Sequence, residues 1–376
     1  MAPPVPILLM IRELGLGGTE RQLSAVARSL DPAKFAAHIG CFRDQGLRRQ
    51  ELDQAGIPIV RFPVRSLRSL SMVSGALEMR RYIQKHGIRL VHAFDYPAIA
   101  FGIPVARTCR QVLTISSQRY HRSLRPGWPH YFQRVTDRLA DAVVVNCEYL
   151  ALHLREDEHV PAERIKLCYN GLDLDVFRPL PESRRAEVAN ASLVIGVVCA
   201  LRPEKDLGTL LAAFAAIRNL RTGMKLLIVG DGSCRSGLEE QARTLGILDD
   251  CVFLPASAEV PDLLRSIDIF VLPSLSEALS NSLMEAMACG CCAVASRTGG
   301  NVELVANGRT GWLFEPGNAA ELASVLKNLI GNDGDRKDTA AKGRQFIEQQ
   351  FSFPAMQRRM EEIYAALLSP GLTEQA

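Results

Sequence analysis

The sequence has no long hydrophobic run. Its first apolar segment, Val5 to Ile11, is broken by Arg12 and Glu13, and the longest later one, Pro97 to Ala106, contains a glycine and two prolines. A membrane helix needs roughly 20 apolar residues, and neither segment has the flanks of a signal peptide, so the chain is expected in the cytoplasm. The cysteines lack metal spacing: Cys41, Cys109, Cys147, Cys168, Cys199, Cys234 and Cys251 stand singly, and only Cys289, Cys291 and Cys292 cluster. Zinc sites require closely paired ligands, so no metal is expected and the thiols read as buried and reduced. A large charge of one sign is also missing, because the formal net charge is only +3. That total hides an asymmetry: up to residue 180 there are 25 Lys and Arg against 17 Asp and Glu, and beyond it 19 against 24. All seven histidines fall in the basic half. Nucleic acid would need a stronger basic excess and is excluded as a partner.

What remains is a globular chain of 376 residues, 47% apolar and 23% charged, long enough for two cores. Apolar strand-like runs recur at Ile7 to Ile11, His38 to Phe42, Ile59 to Phe62, Leu90 to Ala93, Val112 to Ile115, Ala142 to Val145 and Ile165 to Cys168. A second series follows at Leu193 to Cys199, Lys225 to Val229, Val252 to Leu254, Ile269 to Leu272 and Ala293 to Ala295. Helix-length intervals between them predict an α/β chain of two doubly wound, Rossmann-like parallel-sheet domains. The turn signal Asn170-Gly-Leu-Asp173 and the prolines between Phe177 and Pro181 place the hinge. The expected domains are 1–172 and 173–353, with a helix and tail at 354–376 lying along the domain junction. A cleft between the domains is the expected ligand site.

One segment nominates an active site. Ile269-Phe-Val-Leu-Pro273 reads as a core strand, Glu277 lies on the loop at its carboxyl end, and Glu285 sits about a turn inside a helix capped by Ser280 or Asn281 and stopped at Gly290. In open α/β sheets ligands bind outside the carboxyl ends of the strands. A loop acid with capping duty and a solvated helix acid would give the same pattern, so the neighbouring motifs decide.

Three loops suit phosphate. Gly15-Leu-Gly-Gly-Thr-Glu20 precedes a helix and permits close backbone approach, but Glu20 stands where a dinucleotide fingerprint has its third glycine, which disfavours nicotinamide. Ala200-Leu-Arg-Pro-Glu-Lys-Asp206 holds Arg202 and Lys205 on a short loop before a helix that Asp206 is placed to cap. Thr298-Gly-Gly-Asn-Val-Glu303 offers backbone N–H groups from another helix start. Gly230-Asp-Gly-Ser-Cys-Arg235 lacks the last glycine and reads as a strand-exit turn, one that could approach a nucleotide or be a turn alone.

Together the 15–20 loop, Arg202 with Glu204 and Lys205, Asn170-Gly-Leu-Asp173, Glu277 with Glu285, and Thr298-Gly-Gly300 through Gly311 and Pro316-Gly317 resemble the retaining glycosyltransferases of family 4, of the GT-B fold, over nearly the whole chain and most strongly from about 195 to 320. The resemblance implies two domains facing each other across a cleft and transfer of a hexose from a nucleotide-diphosphate sugar, with no metal or other cofactor. Arg202 and Lys205 would hold the diphosphate, Glu277 the transferred sugar and Glu285 the ribose. Gly17 and Gly18 would approach the donor phosphate, and Asn281, Ser282, Leu283, Gly299 and Gly300 would line the donor pocket. It further implies a glycan or lipid-linked acceptor in exopolysaccharide or lipopolysaccharide biosynthesis, at the inner face of a membrane.

Two departures stand out. Many relatives carry a histidine where this chain reads Thr114-Ile-Ser-Ser-Gln-Arg119, which leaves His92, Gln118 and Arg119 as acceptor-side candidates, and Ser280-Asn281 replaces a more usual glycine-aromatic-glycine run. The cations and aromatics interleaved from Arg119 to Phe132 suit an anionic bilayer or a lipid-linked acceptor. Two rivals share the architecture: a nucleotide-sugar epimerase or hydrolase, marked by turnover without acceptor, and a non-catalytic glycan-binding scaffold, which would have no reason to keep Arg202, Lys205, Glu277 and Glu285 together.

Overall fold

In a computed structural model the strands follow the apolar runs. The structure describes residues 3–15, 17–67, 69–121, 127–180 and 184–369; Leu16, Pro181, the tail 370–376 and, within the Arg119 to Phe132 stretch, Arg122 and Arg125 lie outside the described residues. The described chain divides into two compact units, 1–171 with 353–376, and 172–352.

The first unit is built on a parallel sheet of β1 (Val5–Glu13), β2 (Phe35–Arg43), β3 (Ile59–Arg61), β4 (Leu90–Ala93), β5 (Leu113–Gln118), β6 (Ala142–Val145) and β7 (Ile165–Leu167), in the order β3-β2-β1-β4-β5-β6-β7. Alternation along β1 explains its two-faced cover. Ile7, Leu9 and Ile11 enter one core with Leu23 and Val26 of the helix Gly18–Ser29. Leu8 and Met10 enter another with Met79 and Ile83 of the helix Ser71–His86 and with Phe101 and Ile103 of the helix Tyr96–Arg107. The last helix, Phe353–Leu368, buries Met356, Met360, Ile363 and Tyr364 in the first of these cores, so it is part of the first unit instead of a separate segment. Gly171, in the turn expected to be the hinge, is clasped by Gln22, whose amide donates to its carbonyl at 3.0 Å and accepts from its N–H at 3.1 Å. A Cβ there would come within 2.9 Å of Met356 and Phe353 side-chain atoms.

Asp95 caps the helix Tyr96–Arg107 by accepting the Ala98 N–H at 3.0 Å, and it also accepts the Arg12 N–H at 3.1 Å. Burial pushes its carboxyl up to about 6, against those two bonds. A raised carboxyl pKa means that stability is greatest below the unfolded value near 4 and falls as pH rises towards 6. Asp95→Asn keeps the capping oxygen without the charge. It should therefore melt above wild type at pH 7 and lose that advantage at pH 4, as thermal melts at the two pH values would read.

The second unit carries β8 (Leu193–Val198), β9 (Met224–Val229), β10 (Cys251–Leu254), β11 (Ile269–Leu272), β12 (Cys292–Ser296) and β13 (Trp312–Phe314), parallel and ordered β10-β9-β8-β11-β12-β13. Both sheets reverse their winding beside the first strand of the unit, between β1 and β4 and between β8 and β11. The crevice outside the carboxyl ends at such a reversal is where open α/β sheets bind ligands.

Candidate active site

In the second unit that reversal gathers the expected cations and acid. Beyond β8 the chain runs extended through Arg202, whose side chain is 66% exposed, into a single 3-10 turn, Pro203–Lys205. The Lys205 ammonium turns inward and donates to the Glu277 carboxylate at 2.5 Å, both side chains being largely buried, and Ser274 donates to the same oxygen at 3.1 Å. The two loops are sewn together by the Leu275 N–H, which donates to the Glu204 carbonyl at 2.9 Å. Lys205 and Glu277 thus neutralise each other, while Arg202 stays open to solvent.

The glycine motifs shape these loops. Gly230 and Gly232 lie against the carbonyls of Cys199 and Leu201, at 1.8 and 2.2 Å from where a Cβ would be, so the exit of β9 can rest on the loop that carries Arg202. Gly299 and Gly300 were expected to line the donor pocket. They are buried beneath the other loop, where Cβ atoms would meet the Glu277 carbonyl at 1.7 Å and the Ala278 carbonyl at 2.3 Å. Gly300 also donates its N–H to Ala278 at 2.8 Å. The glycine pair acts as the floor on which Glu277 is set.

Asp206 differs from its expected part. It takes a left-handed conformation (φ 46°), and its carboxylate accepts from the Thr209 hydroxyl at 2.6 Å, not from a backbone N–H of the helix Leu207–Ile217. Ser280 does cap its helix, accepting the Leu283 N–H at 3.3 Å, and the helix runs Asn281–Ala288. Asn281 and Ser282 in its first turn are half-buried and Leu283 is buried, while Glu285, one turn in, is 3% exposed.

In the first unit Gly17 and Gly18 form the exposed start of the helix after β1. The Glu20 carboxylate folds back to 2.1 Å from where a Gly17 Cβ would stand. His92, an acceptor-side candidate, is fully buried with both ring nitrogens engaged, Nδ1 with the Tyr364 hydroxyl at 2.7 Å and Nε2 with Ser117 at 2.8 Å. Burial lowers its pKa well below the ordinary value, so a neutral ring ties the last helix to the sheet. Gln118 is the buried end of β5 and donates to the Tyr120 carbonyl at 2.5 Å. Arg119 stands just beyond, with its guanidinium on Asn170 Oδ1 at 2.7 Å and 5.0 Å from the Phe94 ring centroid. Loss of solvent pushes it down to about 10, which leaves it cationic at neutral pH.

One group of side chains that sequence spacing did not single out could hold a cation. His121, His153 and Asp157 bring ligand atoms within 4.8 Å of one another, and His153 Nδ1 is already 2.7 Å from Asp157. His153 and Asp157 share a helical face four residues apart, but His121 comes from a different segment, so only folding assembles the group. It lies in the first unit, apart in the chain from Arg202, Lys205, Glu277 and Glu285.

Comparison with known proteins finds matches to both units. Residues 16–176 match the model of Glycosyltransferase Family 4 and residues 181–346 that of Glycosyl transferases group 1. The chain is 28% identical over 306 residues to the "Putative glycosyltransferase EpsF" of Bacillus subtilis, covering 76% of this chain and 77% of that one. It is 27% identical over 222 residues to the "Lipopolysaccharide 1,2-N-acetylglucosaminetransferase" of Salmonella typhimurium, covering 55% and 58%. The matches span about half the length of most of the curated relatives. Among solved structures, Anabaena HepE in complex with UDP and glucose superposes with a TM-score of 0.82 at 24% identity, over 96% of this chain and 99% of that one. A likeness at that identity establishes the fold, which is GT-B.

Proposed function

We infer that this chain, a GT-B protein related to the group 1 and family 4 glycosyltransferases, moves a hexose from a nucleotide-diphosphate sugar to a glycan or lipid-linked acceptor in surface polysaccharide biosynthesis, with retention of anomeric configuration. The observation that carries the reading is the Lys205–Glu277 pair beside exposed Arg202, held at the winding reversal of the second sheet by four interlocking loops. Matches to enzymes named for polysaccharide and lipopolysaccharide synthesis, and the likeness to a protein crystallised with UDP and glucose, support it.

The chemistry follows from where charge develops. As the bond from the anomeric carbon to the diphosphate oxygen breaks, its electron pair moves onto the diphosphate and the sugar becomes cationic. Arg202 and Lys205 stabilise the departing diphosphate more than the intact donor, which lowers the barrier. When the diphosphate engages Lys205, the Glu277 carboxylate is released towards the hydroxyls of the sugar, and Glu285 is placed to take the ribose hydroxyls. The acceptor oxygen attacks from the leaving-group face and its proton passes to the departing phosphate oxygen, so configuration is retained without a protein nucleophile. Charge neutralisation by side chains makes a metal unnecessary. No helix among the described residues is long and apolar enough to cross a membrane, and the enzyme works from the cytoplasm as a peripheral protein on the inner face.

A panel of UDP-, GDP-, ADP- and dTDP-linked sugars should contain one that raises the melting temperature. A ligand at a hundred times its Kd adds about 2.7 kcal/mol. Product formation with that donor should require an acceptor and persist in EDTA. Stabilisation by none of the donors would sink the reading, acceptor-independent turnover would favour an epimerase or hydrolase, and loss of activity in EDTA would overturn metal independence.

A further inference from the structure

Two adjoining recesses open at the carboxyl edge of the first sheet. One is walled by Arg12 and Arg43, at the ends of β1 and β2, by Arg65 shortly after β3, and by Tyr96, the first residue of the helix after β4. It therefore lies at the winding reversal of this sheet, the counterpart of the donor-side position in the other unit. The second recess is apolar, formed by Met72, Ala100, Trp128 and Phe132. Leu67 and Tyr96 line both, which makes the two continuous.

Charge and exposure distinguish the two ends. Arg12 and Arg43 share the Glu13 carboxylate, Arg43 at 3.5 Å, and the nearby half-buried Asp95 is occupied by the backbone N–H groups of Arg12 and Ala98. The carboxylates of Glu13, Asp95 and Glu20 act on Arg12, whereas the residues that line the recess carry three guanidiniums and no acid, so its wall is positive. Around the apolar end, Leu70, just before the helix Ser71–His86, and Val73 and Leu77 within it are exposed at spacings of three and four, as are Trp128 and Tyr131 three apart on another helix, with Leu70 at 90% and Trp128 at 74%. An apolar surface of this extent marks contact with lipid or another chain, and the adjoining guanidiniums select an anionic amphiphile.

We infer that the two recesses form one acceptor site for a lipid-linked diphosphate, the arginines holding the phosphates and the groove beside Trp128 taking the hydrocarbon chain. The inference rests on the transferase reading above and names the acceptor class within it.

Full-length protein titrated with farnesyl diphosphate, a soluble probe with both features, should bind it at least tenfold more tightly than inorganic pyrophosphate or farnesol. The double variants Arg43→Ala/Arg65→Ala and Trp128→Ala/Phe132→Ala should each weaken binding at least tenfold. All four side chains are exposed, so the fold should persist, and both variants should keep the thermal shift produced by the nucleotide sugar. Pyrophosphate bound as tightly as farnesyl diphosphate would overturn the lipid half of the site. Binding to phosphatidylglycerol vesicles with none to farnesyl diphosphate would mean bilayer docking and overturn the site. Failure to bind with the donor shift intact would sink this inference alone. A farnesyl diphosphate site in a protein that no nucleotide sugar stabilises would uphold the site and sink the transferase reading.

Discussion

Replacing Lys205 by alanine should lower transfer at least tenfold, about 1.4 kcal/mol of transition-state stabilisation, and lower the melting temperature as well. The second effect comes from the contact with Glu277, whose carboxylate would keep only the Ser274 hydroxyl in a largely buried position. Removing one partner of a fully buried pair costs about 3–5 kcal/mol, and some solvent contact here reduces that to about 1–3. Glu277→Gln should be as inactive. In the double variant Lys205→Ala/Glu277→Gln no unpaired charge remains, so part of the stability should return while activity does not. Steady-state transfer and thermal melts on the three variants read both halves. Wild-type turnover in Lys205→Ala would sink the site, and a double variant melting no higher than the single would show that the two groups are not coupled.

Gly299→Ala should destabilise the protein by about 2–4 kcal/mol, with transfer falling alongside. Its backbone is left-handed (φ 49°), and the added methyl would meet the Glu277 carbonyl 1.7 Å away. Backbone cannot swing aside as a side chain can, so the loop that aims Glu277 must move. Gly17→Ala provides the control. There the obstacle is the tip of the Glu20 side chain, which can rotate into solvent, so stability should stay close to wild type. Thermal melts of the two variants decide the matter: equal melting temperatures would show that the glycine pair does not support the loop.

The strands were readable because parallel strands buried on both faces are continuously apolar, as Ile269–Leu272 and Ala142–Val145 are. β13 was missed because Trp312–Phe314 is three residues long inside a glycine- and proline-bounded turn. The Ser280 cap follows from its position before an apolar helical run, whereas Asp206 offers the same signal and takes a left-handed turn that brings its carboxylate to Thr209. His92 looked available at a strand end, but its partner Tyr364 stands 272 residues away.

Periodicity, caps and turn residues act over a few positions, so the sequence by itself determined most of the strands and helices, that two α/β units follow one another, and that Arg202, Lys205, Glu277 and Glu285 follow strand exits. Tertiary structure alone decided what those residues touch: that Lys205 neutralises Glu277, that Gly299 and Gly300 carry the Glu277 loop from below, that the last helix belongs to the first core, and that three arginines adjoin an apolar groove. The physical reason is that burial, charge pairing and backbone clearance depend on atoms brought together by packing, and in this fold those atoms come from strand exits separated by tens to hundreds of residues.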